Sequence, residues 1–380
     1  MYGKNVFKIM PAIVLAGMFF CIKPIIAIAY PLVGTDFVLN VEAMGKTYEF
    51  CYPEIDVYKG NLYLKNIEEV VDGIYYDTLK KAISARVKIS PLEENPFKFT
   101  KDMDGKCIDK EDLVLKIQNA LLKKEPFVKA LQKPLKADIT KEELEQSTYR
   151  RSLFSTVYPY SSSERKSNIE LCANLIGGVM LMPYEVFSFN NVVGERTEER
   201  GFKSAKVIEK GKFVDGIGGG VCQVSTTVYN AALLAGLKVL ERHNHSMLVS
   251  YVEPSFDAMV SQDYADLKFI NDTGGIVFVT AYAKNDEIFV SVYGRKSEYS
   301  YNRISVVKEE ILSGEPERVF SNEVSLGEEK FAVYPKNGAV SEGYLEKVKN
   351  GVVISKMHLS VDKYSPLKGL ILYNENEPIS

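Results

Sequence analysis

A cysteine set behind a run of glycines is where this chain offers chemistry. "GIGGGVCQVSTTVYN" (216–230) places Gly218, Gly219 and Gly220 just ahead of Val221 and Cys222. Glycines let the backbone take positive φ and come close to whatever lies opposite. Beyond them Val224, Val228, Ala231 and Ala235 share one helical face, and Gly236 is a natural C-terminal stop. The spacing predicts a helix whose first turn holds Cys222. Unpaired N–H groups and the positive end of the helix dipole gather there. They lower a thiol's pKa and favour the thiolate, which is the nucleophile. The same N–H groups, with those of the glycines, could face a developing oxyanion.

A thiolate nucleophile also needs a base. His243 and His245 follow in "LKVLERHNHSMLVSYV", which reads as a strand returning alongside the helix, so both would point to one face. Asp257 or Asp266 could orient an imidazole, and the spacing does not choose between them. Arg196 in "VGERTEERGF" is either a solvated loop charge or a fork for a substrate carboxylate. Gly218, Gly219, Gly220, Gln223 and Arg196 are thus the candidate oxyanion and substrate-binding positions. The plainer reading makes Cys222 a packed core residue and the histidines solvated. The loop is a poor phosphate cradle, since it lacks both the Lys-Ser/Thr of a P-loop and the third glycine of the dinucleotide fingerprint. With no CxxC and only three histidines, neither a metal site nor a cofactor is expected.

The elements around this segment imply a multidomain α+β chain. Its catalytic domain has Cys222 at a helix N-terminus, then a His-bearing strand and an antiparallel sheet; a β-rich module follows. Residues 1–30 carry Lys4 and Lys8 before a short apolar run and end near Ala27-Ile28-Ala29, the pattern of a signal peptide, with an uncleaved membrane anchor as the alternative. Either places the remainder outside the cytoplasm. Residues 31–150 read as a mixed α/β domain, with a hairpin at Met44-Gly45-Lys46, an Asp109-capped helix and a Thr140/Glu143 capping box. Residues 151–295 hold the candidate site, and 296–380 form the β-rich module, with Asn350-Gly351 as a hairpin turn. A net charge of −3 gives no basic excess for nucleic acid.

"FSFNNVVGERTEERGFKSAKVI", "GIGGGVCQVSTTVYNAALLAGLKVLERHNHS" and "YADLKFIN" together resemble the VanW domain over roughly residues 154–295. "FKFTKDMDGKCIDKEDLVLKIQNALLKK" resembles the peptidoglycan-binding domain that often precedes it, and the tail resembles G5-like β modules. Two positions depart from the family pattern: Tyr184 stands in place of the glycine of "PGE", and Ser255-Phe256 replace a Pro/Gly-containing turn. The resemblance implies a cell-wall L,D-transpeptidase that forms 3–3 peptidoglycan cross-links. Cys222 would be its nucleophile and His245 its base, with His243 second, and peptidoglycan stem peptides its partners. A cysteine endopeptidase or carboxypeptidase of the wall is an alternative, and a non-catalytic wall-binding scaffold is another.

Overall fold

A computed structural model describes residues 36–209 and 212–374; the N-terminal segment read as a signal peptide or anchor lies outside them. The described residues fall into two compact units: those up to Leu79 with Cys107–Lys133, and Lys80–Lys106 with everything from Pro134 onward.

In the first unit, strands Leu39–Ala43 and Lys46–Phe50 pair antiparallel around Met44-Gly45, and Phe127–Lys129 adds a parallel edge. Helix Lys110–Lys123 starts where Asp109 accepts the Asp112 amide (3.3 Å). Its Leu113, Ile117, Ala120 and Leu121 stripe is buried in one core with Leu39, Val41 and Ile55.

The second unit is built on an antiparallel sheet in the order Tyr149–Val157, Glu287–Gly294, Val277–Lys284, Val179–Leu181. Helices Ser163–Ile176 and Val221–Leu234 pack on it, sharing a core of Ile169, Cys172, Val224, Val228 and Val290. A smaller antiparallel sheet, Val186–Ser188, Lys268–Ile270 and Lys238–Glu241, lies in the same unit. The hairpin Ser204–Glu209/Lys212–Ile217 delivers the glycine loop. Residues 80–106 and 134–150, expected with the preceding domain, group here instead. The reason is apolar: Phe97 packs on Phe278 and Tyr293 at ring separations of 5.3 and 4.9 Å, and Leu144 joins that cluster.

The C-terminal module belongs to this unit too. Tyr299–Ile311, Gly338–Lys349 and Val352–Tyr364 form one antiparallel sheet, turned by Asn350 and Gly351 at φ 51° and 78°. Glu317–Phe320, Leu370–Tyr373 and Glu329–Val333 form a second, mixed sheet, its first pair parallel and its second antiparallel. The described chain is multidomain, mixed α and β, and rich in strands. One expectation fails: the strand before the histidines ends at Glu241, so His243 and His245 do not lie on it. Among the described residues no helix is long and apolar enough to cross a membrane.

Candidate active site

Glycine makes the approach to Cys222 possible. Gly218 and Gly220 stand at φ 85° and 107°, and Gly220 is the N-cap of helix Val221–Leu234. A Cβ on Gly219 would meet the Ala205 Cβ and the Lys206 carbonyl at 2.8 Å. One on Gly218 would press on the Arg196 stem at 3.3 Å, and one on Gly220 on the Arg165 stem at 3.1 Å. The loop is thus bare partly to seat two arginines. Asn168, fully buried, fastens it by donating to the carbonyls of Gly219 (3.0 Å) and Lys203 (2.9 Å) and accepting the Lys203 amide (2.7 Å).

The helix buries polar residues that would be wasteful in a plain core. Ser225 Oγ donates to the Ala258 carbonyl (2.6 Å), Thr226 Oγ1 accepts the Ala258 amide (2.9 Å), and Asn230 Nδ2 donates to the Phe256 carbonyl (2.7 Å). Buried polar groups demand partners, and these take theirs from segment 256–260. That stitching sets Asp257 beside the helix and brings Cys222 Sγ to 3.4 Å from the Val260 carbonyl.

His245 and Asp257 complete the arrangement. Asp257 Oδ2 accepts both the His245 amide and its Nδ1, each at 2.6 Å. With Nδ1 so engaged, the other ring nitrogen is left for Cys222, whose thiol is electrostatically coupled to His245. Asp257 Oδ1 accepts from Arg242 (2.9 Å) and the Tyr364 hydroxyl (2.6 Å), so both carboxylate oxygens are held. His245 and Asp257 are 5% and 1% exposed, and Cys222 is half-buried.

The electrostatics follow this geometry. Burial alone would lift the Cys222 thiol, but the His245 hydrogen bond and charge outweigh it and hold the thiol below its ordinary value. Burial opposes a charged imidazole as well; Asp257 and Cys222 overcome it, and His245 is pushed up to about 9. Asp257, despite its burial, is held below the usual carboxylate range by His245 and Arg242. By contrast, burial drives the Cys172 thiol well up. Arg165 donates to Gln223 Oε1 (2.8 Å) and Arg196 to Asn190 Oδ1 (2.6 Å). Both guanidinium groups feel the Cys222 charge, and among the described residues neither forms an ion pair with a carboxylate. Burial holds the Tyr251 hydroxyl well above its ordinary range, and the Cys222 charge adds to that.

Not every candidate reaches the sulfur. His243 is half-exposed and contacts Glu241 at 3.2 Å. Asp266 accepts from Ser188 Oγ (2.5 Å) and the Asn190 amide (2.9 Å); it steadies the residue that holds Arg196 and does not touch the imidazole. The Gly218 amide is taken by the Lys203 carbonyl (3.1 Å) and the Gln223 amide by the Gly220 carbonyl (3.0 Å). The Gln223 side chain turns inward to Thr156 (3.0 Å) and the Val157 carbonyl (3.0 Å). The amides of Gly219, Gly220 and Cys222 make no hydrogen bond among the described residues. Nor do these residues contain a cluster of His, Cys, Asp and Glu able to hold a metal. Sequence reading missed Arg165, Arg242, Tyr251, Asp362 and Tyr364. Only Arg242 carried a local signal, its place between Glu241 and the histidines.

Cys222, His245 and Asp257 therefore form a cysteine–histidine–aspartate constellation at a helix N-terminus. Residues 164–293, which contain it, match the family model described as VanW like protein. The chain is 39% identical over 147 residues to the uncharacterized protein YoaR of Bacillus subtilis, covering 39% of this chain and 48% of that one. It is 26% identical over 144 residues to the vancomycin B-type resistance protein VanW of Enterococcus faecalis, covering 36% and 52%. The chain thus spans about half the length of the curated relatives it matches. The G5 domain of an IgA1 protease aligns with 22% of this chain and 95% of its own, at 14% identity and a TM-score of 0.15.

Proposed function

We propose that the chain is a cell-wall L,D-transpeptidase acting outside the cytoplasm through Cys222. The observation that carries this reading is the buried Asp257–His245 pair electrostatically coupled to a thiol at the start of a helix. Similarity to a vancomycin resistance protein supports the wall as the site of action, and the N-terminal sequence supports export.

The Cys222 thiolate attacks the carbonyl of the third residue in a stem tetrapeptide. The tetrahedral oxyanion is met by the amides of Gly219, Gly220 and Cys222. Collapse breaks the bond to the fourth residue; the His245 imidazolium protonates the departing amine, D-Ala leaves, and a thioester remains. The side-chain amine of a neighbouring stem's third residue then attacks the thioester. His245 takes its proton, a peptide bond forms, and the thiolate is restored. Arg196 and Arg165, charged and without carboxylate partners, hold the free carboxylate of the donor's terminal residue.

Purified wild-type and Cys222→Ala chains mixed with disaccharide-tetrapeptide fragments test this by mass spectrometry. Cross-linked dimers lighter by one D-Ala than two monomers, absent with the variant, are expected. Release of D-Ala without dimers, still dependent on Cys222, would replace transfer with hydrolysis. Unchanged fragments with both folded proteins would leave a wall-binding scaffold.

A further inference from the structure

Strand Val352–Tyr364 of the C-terminal module ends against the site. Tyr364, 1% exposed, donates its hydroxyl to Asp257 Oδ1 (2.6 Å) and accepts the Ser255 amide (2.8 Å). Asp362, 4% exposed, takes one Arg242 nitrogen at 2.6 Å, while the others reach the Asp257 carboxylate (2.9 Å) and carbonyl (2.7 Å). Ser255, two residues before Asp257, stands at φ 64°, a conformation that persists only where surroundings enforce it. The module supplies that enforcement: besides Tyr364, Ser341 Oγ meets Ser255 Oγ at 2.6 Å and Arg303 donates to its carbonyl at 2.7 Å.

We infer that the C-terminal β module is part of the catalytic machinery, with Tyr364 and Asp362 as positioning residues that orient Asp257 and set the charge available to His245. The inference rests on Cys222 being the nucleophile. Arg242 is one cation between two carboxylates. With Asp362 in place, Arg242 is shared, and Asp257 keeps negative charge for the imidazolium. If Asp362 is neutralised, Arg242 belongs wholly to Asp257; His245 releases its proton more readily and Cys222 retains its own to higher pH. Tyr364 acts in the other direction, because its hydroxyl stabilises the Asp257 carboxylate. Without it Asp257 becomes a better acceptor toward His245, and the thiol ionises at lower pH. Other charges around the pair stay fixed in both variants. Arg165 and Arg196 interact with the Cys222 charge, Tyr251 with both Cys222 and Asp257, and Arg303, on the module's own sheet, with Arg242.

The test is the rate of Cys222 alkylation by iodoacetamide against pH, read by peptide mapping on the whole chain for wild type, Asp362→Asn and Tyr364→Phe. Below the wild-type midpoint, Asp362→Asn should slow labelling by about threefold or more and Tyr364→Phe should quicken it by about twofold, midpoints moving in opposite directions. General loosening of the fold cannot produce opposite shifts. Wild-type midpoints in both variants, or shifts of one sign, would overturn the inference while leaving Cys222 as nucleophile. A wild-type Cys222 that labels no differently from Cys51 would overturn both.

Discussion

Helices Lys110–Lys123 and Val221–Leu234 are both fourteen residues long, yet they bury different chemistry. The first turns Leu113, Ile117, Ala120 and Leu121 inward and leaves its charges outside. The second buries Gln223, Ser225, Thr226, Thr227 and Asn230 along with its apolar residues. The contrast extends to ion pairs. Lys46–Asp77 in the first unit leaves both side chains 53% exposed, whereas Arg242–Asp257 leaves 8% and 1%. Surface pairs contribute little to stability, and a buried pair is weak evidence for stability because desolvation opposes it. The first unit is held by ordinary apolar burial. Around Cys222 the fold instead sustains a polar interior whose product is a thiol ionised below its ordinary range.

The sharpest break in that contrast is Cys222→Ala, expected to lower D-Ala release by at least about 10³-fold with secondary structure unchanged, measured by D-amino-acid assay and circular dichroism. Asp257→Asn comes next. Losing the carboxylate that fixes the imidazole should cost about 10²–10⁴ in rate. It also leaves Arg242 with one fewer buried counter-charge, a loss of about 3–5 kcal/mol readable by denaturant unfolding. A smaller effect concerns pH. The alkylated group is the thiolate, so labelling of Cys222 should plateau at alkaline pH. Release of D-Ala also needs the imidazolium proton, and because the folded value of His245 is raised to about 9, that activity should fall as pH rises through about 9. Least for the site is Leu113→Ala: a loss of about 2–5 kcal/mol from the first unit, with the Cys222 labelling profile unmoved. A shifted profile there would mean that the two regions are not separable in the way their interiors suggest.

Local chemistry was legible in the sequence wherever one short segment decides it. Asp109 caps its helix, Thr140 and Glu143 form the capping box, and Asn350-Gly351 turns its hairpin at positive φ. Cys222 at the helix start follows from the glycines and the apolar period behind them. The two departures from the family pattern also have a physical meaning. Tyr184 and Ser255 both stand at positive φ, 66° and 64°, where glycine would be at ease. The choice of histidine was not legible from period two, which requires a continuing strand. The strand stops at Glu241, Arg242 turns inward to two carboxylates, and His245 is delivered by an irregular segment. Nor could spacing separate Asp257 from Asp266. Asp257 is set beside the imidazole by bonds from Ser225, Thr226 and Asn230 to its neighbours, and it is held there by Tyr364, 107 positions further along the chain.

A nucleophilic Cys222 must pass through a covalent intermediate. Wild-type chain mixed briefly with the disaccharide-tetrapeptide and quenched in acid should gain the mass of the donor less D-Ala, and peptide mapping should place it on Cys222, sensitive to hydroxylamine as a thioester is. The same mixing with Asp257→Asn should accumulate it more slowly. Turnover of the fragments with no adduct on Cys222, or an adduct carried by Cys51, Cys107 or Cys172, would contradict the assignment of the nucleophile.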